Sequence, residues 1–185
     1  MNKADVLDIA MHAYWDEGPT NVSLNTICQR AGVSKPSVYR EFGNDDGLTC
    51  AALENYAQCV LAQVLGVIGG AGSFTNKVTE IARLAAEDVA HERGCLFVKM
   101  RAVKPQLGDQ TQALIAEMES MAINAYTDLL AQGRASGAWT GTTPIALGAQ
   151  YLHAQIGLAL DHRARGEDPK AVFALALSVL LDPKD

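Results

Sequence analysis

Residues 22–43 read VSLNTICQRAGVSKPSVYREFG, and this stretch decides the fold of the chain. An apolar stripe that starts at Leu24 predicts one short helix, and Gly32 follows it as a residue suited to the left-handed conformation that ends helices. Ser34 offers a cap for a second helix, which tolerates Pro36 in its first turn because no intrahelical N–H bond is lost there. The stretch therefore predicts two short helices joined by a tight turn.

Two helices joined by such a turn are the layout of a helix-turn-helix, whose second helix enters the major groove of DNA. Val33 and Val38 are expected to point inward and to hold the angle between the helices. Lys35, Tyr39 and Arg40 then face outward, where cations and hydroxyls reach phosphates. The alternative, a helical hairpin used only for packing, would leave these outward side chains without a task.

The overall charge gives the opposite indication. The chain has 185 residues, with 15 Lys plus Arg against 21 Asp plus Glu, a net charge of -6 and a pI near 5.2. A strongly basic balance is the usual signature of a nucleic-acid-binding protein, and this chain lacks it. Residues 22–44, however, hold three cations (Arg30, Lys35, Arg40) and one acid (Glu41), which leaves a local charge of +2. The average thus hides a small basic surface within an acidic remainder.

Composition limits the class of protein and its compartment. With 49% hydrophobic residues the chain can bury a substantial core, which excludes a disordered or fibrous protein. The N-terminus lacks the pattern of a secretory signal, and the longest apolar stretch, near 172–181, is shorter than the roughly 20 residues of a membrane helix. We therefore expect a cytoplasmic protein without membrane contact. No cofactor is expected.

The four cysteines are Cys28, Cys50, Cys59 and Cys95. Their spacing shows neither a C-x-x-C pair nor nearby paired histidines, so free and mostly buried thiols are the simplest interpretation. A redox sensor and a zinc site remain as alternatives, and no metal ligand is assigned.

Helical periodicity continues through the rest of the chain, whereas strand signals are scarce. A first helix containing Val6 ends at Gly18-Pro19, and further helices are predicted at about 45–68, 73–91, 95–103, 114–136, 144–161 and 169–181. The predicted fold is all-α, with about nine helices and no sheet.

The motif resembles that of the TetR family of bacterial transcriptional regulators. The resemblance rests on the GVS turn at 32–34, the KPSVY run at 35–39 and Phe42, and it extends back to about Val6 and on to Leu48. It implies an N-terminal three-helix domain at 1–46, with the motif at about 23–42, and a helical effector-binding and dimerisation domain at 47–185. The implied function is a repressor that binds a palindromic operator as a homodimer and is released by a small-molecule effector.

The resemblance also implies which residues meet the double-stranded DNA. The predicted DNA-contacting residues are Ser23, Asn25, Ser34, Lys35, Pro36, Ser37, Tyr39 and Arg40. One departure lies at the start of the fourth helix, where the family commonly has a lysine and this chain has Asp45 and Asp46. Glu41 adds a further negative charge on the recognition helix. These acids predict modest, salt-sensitive phosphate affinity.

The last helix is apolar on every side and must be buried all round. The resemblance implies that it forms a two-fold dimer together with the helix before it, whereas the alternative is the core of a monomer. The residues predicted for the interface are Ile145, Leu152, Ile156, Leu160, Val172, Phe173, Leu177 and Leu180.

An effector is expected between the reading head and the dimer interface. The residues predicted to line its pocket are Phe97, Met100, Met118, Met121, Tyr126, Tyr151 and His153. Methionines and aromatics at helical spacing are usually core residues, but methionine also lines adaptable pockets. His91 and Cys95 lie four residues apart without an orienting acid, so we expect no catalytic activity.

A second hypothesis belongs to another class of protein. The acids Asp45, Asp46 and Glu41 also fit a helical small-molecule-binding or redox-sensing dimer whose DNA binding is weak or lost.

Overall fold

The computed structural model describes residues 2–88 and 92–180, and within these ranges every regular element is helical. The helices are α1 Lys3–Glu17, α2 Leu24–Ala31, α3 Lys35–Phe42, α4 Asp45–Gly69, α5 Phe74–Glu87, α6 Leu96–Ala102, α7 Asp109–Ala135, α8 Ile145–Ala164 and α9 Pro169–Leu180. A π-helical turn, Ala57–Leu61, interrupts α4, and a 3-10 turn, Lys104–Gln106, precedes α7. The prediction of an all-α fold with nine helices is confirmed for the described residues. The predicted end of α5 at His91 lies outside them.

Helices of the N-terminal region begin at residues whose side chains cap them. The Ser23 hydroxyl accepts the amide of Thr26 at 3.2 Å, and the Asn44 side chain accepts the amide of Gly47 at 2.7 Å. Each bond satisfies one of the amides that a helix leaves unpaired in its first turn. Short polar residues therefore define where α2 and α4 start.

Gly32 sets the turn between α2 and α3. Its φ of +63° is left-handed, a region that residues with a Cβ rarely adopt, and the following amide of Val33 bonds to the Cys28 carbonyl at 3.0 Å. The prediction of a left-handed cap at Gly32 is confirmed. This cap ends α2 and changes the direction of the chain before α3 begins.

The chain forms two compact units. One comprises Met1–Leu61 and Cys95–Met118, and the other comprises Ala62–Gly94 and Glu119–Asp185. The first unit is larger than the predicted 1–46 domain because α1 packs on the first half of α4 and on α6 as well as on α2.

The first unit is built around α1 and α4. Its core residues with at most 1% exposure include Val6, Ala10, Ile27, Val38, Leu48, Ala52, Leu53, Tyr56, Leu96 and Met100. Among the described helices α4 alone is long and apolar enough, by length and composition, to cross a membrane. Its first turns instead bury Leu48, Leu53 and Tyr56 completely within this unit.

In the second unit α8 packs on α9 and α5. A Cβ on Gly148 would lie 3.0 Å from a methyl carbon of Leu130 and 3.2 Å from one of Leu180, so a glycine lets these helices approach closely. Trp139 is 1% exposed, and its indole N–H donates to the Leu180 carbonyl at 2.9 Å. These contacts fix the last helix within the protomer.

The residues predicted for the dimer interface lie mostly in the core of the protomer. Of the eight residues predicted, Leu152, Ile156, Leu160, Val172, Phe173 and Leu180 are buried within the protomer, and Ile145 and Leu177 are half-buried. The large apolar side chains that α8 and α9 leave exposed are Leu147 at 57%, Leu158 at 43%, Leu175 at 65% and Val179 at 57%. A helix that is apolar all round does not reveal in its sequence which face packs inside its own chain.

The residues predicted for the effector pocket are divided between the two units. Phe97, Met100 and Met118 belong to the first unit and are at most 4% exposed, so they are core residues there. The other four belong to the second unit, where Met121 is 45% exposed. The division arises because the long helix α7 begins in one unit and ends in the other.

Candidate nucleic-acid interface

The outer face of α3 carries the predicted DNA-contacting side chains. Val38 is fully buried and anchors the helix, whereas Pro36 and Arg40 are exposed and Tyr39 is 37% exposed. Lys35 is half-buried. One apolar side chain thus holds the helix, and the polar ones lie toward solvent.

The serines predicted to meet DNA also cap helices. The hydroxyl of Ser23 lies 2.9 Å from that of Thr26, and the hydroxyl of Ser34 lies 2.9 Å from that of Ser37. The Ser37 amide donates to the Ser34 hydroxyl at 3.4 Å. Ser23 and Asn25 are exposed at the start of α2, where unpaired amides favour a phosphate.

A chain of polar contacts links the recognition helix to the start of α4. The Lys35 ammonium lies 5.1 Å from the ring centroid of Tyr39, and the Tyr39 hydroxyl donates to Asp45 Oδ1 at 2.6 Å. The Tyr39 hydroxyl, with a smaller contribution from Asp45, raises the pKa of Lys35. The ammonium therefore keeps its charge under all physiological conditions.

Two other cations of the head are paired with acids that are distant in sequence. Arg30 forms a two-pronged ion pair with Glu17 of α1, which lowers the pKa of the Glu17 carboxyl. Lys3 lies 3.1 Å from Glu41 and 5.5 Å from the ring centroid of Phe42. The sequence offered no signal for either pair, because neither lies within a single helix.

These ion pairs change the charge count at the reading surface. Arg30 is neutralised by Glu17, and Glu41 is neutralised by Lys3. Arg40 forms no ion pair with any residue that the structure describes. The local charge of +2 therefore survives, but Lys35 and Arg40 carry it.

Asp46 faces a different part of the first unit. Its carboxylate accepts the amides of Gln110 at 2.8 Å and Thr111 at 3.2 Å, and the Thr111 hydroxyl at 2.6 Å. Gly108, which precedes α7, has no side chain with which to cap that helix, and Asp46 supplies the cap instead. Sequence reasoning treated Asp46 as a charge that repels DNA and missed this structural role.

The thiols do not form a reactive cluster. None of the four cysteines, all within the described residues, forms a disulfide; Cys28 and Cys95 are buried, Cys50 is half-buried and Cys59 is exposed. Burial raises the pKa of Cys50 and Cys95, so both remain thiols at neutral pH.

In the second unit two of the predicted effector-pocket residues lie side by side. The rings of Tyr126 and His153 have centroids 6.2 Å apart, and His153 Nε2 lies 3.8 Å from a Glu119 carboxylate oxygen. Tyr126 is 5% exposed, and the side chain of His153 is 11% exposed. They form a largely buried polar cluster.

Together α2, the turn at Gly32 and α3 form a helix-turn-helix. Residues 6–51 match the family model described as "Bacterial regulatory proteins, tetR family". The N-terminal region of the chain therefore matches the TetR family, as the resemblance of its motif predicted.

Solved structures of similar fold extend over nearly the whole chain. The reduced form of E. coli NemR is 19% identical, with a TM-score of 0.84 and 98% of each chain covered. A TetR-family transcriptional regulator from Streptomyces coelicolor is 23% identical, with a TM-score of 0.77 and coverage of 96% of this chain and 91% of its own. A cysteine mutant of the TetR-family regulator CifR, complexed with 26-bp double-strand operator DNA, is 20% identical, with a TM-score of 0.77 and coverage of 100% and 97%. The search of curated proteins found no match.

Proposed function

We propose that this protein is a cytoplasmic, non-catalytic repressor that binds a palindromic operator as a homodimer and releases it when a small molecule binds. The observation that carries the proposal is the outer face of α3, which Lys35 begins after the Ser34 cap and on which Tyr39 and Arg40 lie further along the helix. Cations and hydroxyls in this arrangement hold phosphates while neighbouring side chains reach base edges. The DNA-bound CifR mutant has a similar fold and supports double-stranded DNA as the partner.

The homodimer is proposed from the apolar side chains that α8 and α9 expose. Leu147, Leu158, Leu175 and Val179 are each at least 43% exposed, and burial against a second copy would remove them from water. A two-fold homodimer would present two recognition helices to the two half-sites of a palindromic operator, which lie about 34–36 Å apart, one turn of DNA.

The effector is proposed to bind in the second unit near Tyr126, Tyr151 and His153. The imidazole of His153 lies beside the phenol of Tyr126, and small-molecule sites usually combine a few polar groups with apolar walls. The effector must favour one spacing of the reading heads over the other, since a ligand with equal affinity for both states shifts nothing.

DNA binding is tested by a mobility shift with the DNA that flanks the protein's own gene. Wild type is expected to retard this fragment, and the Lys35→Ala, Arg40→Ala double variant is expected to lose at least about tenfold in affinity because both remaining cations are gone. Asp5→Ala and Asp8→Ala on α1 serve as control variants. No retardation of wild type at low salt, or equal binding by the double variant, would overturn the proposal.

The salt dependence gives a second check. With two available cations in each head, a dimer neutralises about four phosphates, so log K against log salt should fall with a slope of about −4. A slope of about −9 or steeper would mean that the contact surface lies elsewhere.

A further inference from the structure

The Tyr39 hydroxyl, which is predicted to contact DNA, donates its hydrogen bond to a carboxylate of the protein itself, that of Asp45. The hydroxyl donates to Asp45 Oδ1 at 2.6 Å, the distance of a charge-assisted hydrogen bond, and both side chains are exposed. Asp45 begins α4, so its backbone is fixed by the Asn44 cap and by the burial of Leu48 one turn later. The contact thus joins the recognition helix to the first turn of α4.

A DNA phosphate would need the same donor. Phosphate and carboxylate oxygens carry similar charge and accept the same short O–H bonds, and Asp45 also lies near enough to contribute to the raised pKa of Lys35. Asp45 therefore occupies the acceptor position at the Tyr39 hydroxyl that a phosphate oxygen would take. An incoming phosphate must displace this carboxylate or stay away from both donors.

The other acids of the head cannot play this part. Glu41 is taken by Lys3 and Glu17 by Arg30, while Asp46 is bonded to the first turn of α7. The Tyr39 hydroxyl donates its hydrogen bond to the Asp45 carboxylate.

We propose that Asp45 is an internal phosphate mimic that lowers the affinity of the recognition helix for DNA by occupying the Tyr39 hydroxyl. The inference rests on the proposed DNA-binding function and identifies the residue that sets its strength. DNA binding then exchanges one charge-assisted bond for another, so the net gain from Tyr39 is small in wild type. Removing the Asp45 charge should therefore increase the contribution of Tyr39 to DNA affinity.

The experiment is a double-mutant cycle on DNA affinity. Fluorescence anisotropy measures Kd for wild type, Asp45→Asn, Tyr39→Phe and the double variant on two labelled duplexes, the flanking DNA of the gene and a scrambled duplex of equal length. Asp45→Asn is expected to lower Kd by about fivefold or more on both duplexes, because phosphate contacts do not depend on sequence. Tyr39→Phe is expected to raise Kd by about fivefold in the Asp45→Asn background and by less than about twofold in wild type, because residues in contact are not additive.

A second double-mutant cycle, with Glu41→Gln in place of Asp45→Asn, distinguishes the hydrogen bond to the Tyr39 hydroxyl from simple repulsion between an acid and the DNA phosphates. Glu41→Gln removes the same charge from the recognition helix, but Glu41 pairs with Lys3, so its effect and that of Tyr39→Phe should add. Equal effects of Tyr39→Phe with and without Asp45, or an Asp45→Asn protein that binds no more tightly than wild type, would overturn the phosphate mimic and leave the DNA-binding function standing. Absence of binding by every variant, Asp45→Asn included, would overturn the DNA-binding function itself.

Far-UV circular dichroism checks that α4 still forms, and Asp45→Ser provides a second variant compatible with the first turn of a helix.

Discussion

Tyr56 shows how a single buried polar group ties together distant parts of the first unit. Its side chain is fully buried, its hydroxyl donates to Cys95 Sγ at 3.0 Å, and its ring meets Trp15 edge-on at 4.9 Å between centroids. Burial raises the pKa of Tyr56 well above 10.0, since a phenolate in this apolar site would lose its hydration. The residue is therefore neutral in the folded protein at any pH at which the protein works.

This burial predicts a loss of stability in alkali. The unfolded chain releases the phenol proton near pH 10, whereas the folded chain retains it, so the free energy of unfolding is full below about pH 10 and falls as the pH rises further. Tyr56→Phe should cost about 0.5–1.5 kcal/mol at pH 7 for the lost hydrogen bond and should make the alkaline fall shallower. Urea unfolding at pH 7, 9 and 10.5 measures both effects, with the exposed Tyr39→Phe as the control. An identical alkaline slope in wild type and Tyr56→Phe would contradict this account.

At the scale of elements, the joint between the start of α4 and the start of α7 holds the first unit together. Asp46 accepts two amides and one hydroxyl from Gln110 and Thr111, and Thr111 is fully buried. A Cβ on Gly108 would lie 2.2 Å from Asp46 Cγ, so a glycine is required for the carboxylate to reach the helix. One acid thus satisfies amides that α7 cannot satisfy for itself, and its charge also suits a helix N-terminus.

Removing this cap should destabilise the protein. Asp46→Ala leaves donors of α7 unpaired, including those of the buried Thr111, and we expect a loss of about 1–3 kcal/mol in the free energy of unfolding. Gly108→Ala should produce a similar loss because its Cβ displaces the carboxylate. Chemical denaturation of both variants, compared with Asp45→Ala as the neighbouring acid that caps no other helix, measures the effect. Equal stability of Asp46→Ala and Asp45→Ala would show that the cap contributes nothing.

For the whole molecule, the exposed apolar side chains of α8 and α9 are the main departure from a surface suited to a monomer. Leu175 is 65% exposed and Val179 is 57% exposed, one turn apart on the same helix face. Their neighbours Val172 and Phe173 are buried. The last helix thus packs into the protomer core with one face and exposes apolar side chains on the other.

The proposed dimer should separate when that face is charged. Leu175→Glu places a carboxylate at the centre of the proposed interface, where an unpaired buried charge is costly, so the molecular mass from light scattering should fall from two chains to one. Leu65→Glu, at an exposed leucine of α4, provides the control and should remain dimeric. The interface is wrong if wild type is already a monomer or if Leu175→Glu keeps the mass of two chains.

Sequence alone was enough to predict the helix-turn-helix of residues 22–43, its resemblance to the TetR family and the all-helical fold, because caps, turn glycines and apolar periodicity act between residues only a few positions apart. It also predicted that Lys35, Tyr39 and Arg40 face outward, since Val33 and Val38 were expected to point inward. The ion pairs Lys3–Glu41 and Arg30–Glu17, the role of Asp46 at α7 and the buried face of the last helix were decided only by the tertiary structure. The residues in these ion pairs and in the Asp46 cap are 13 to 65 positions apart. The last helix is apolar on all sides, so its sequence does not distinguish the buried face from the exposed one. Local periodicity carries no information about such contacts, which depend on how the helices pack.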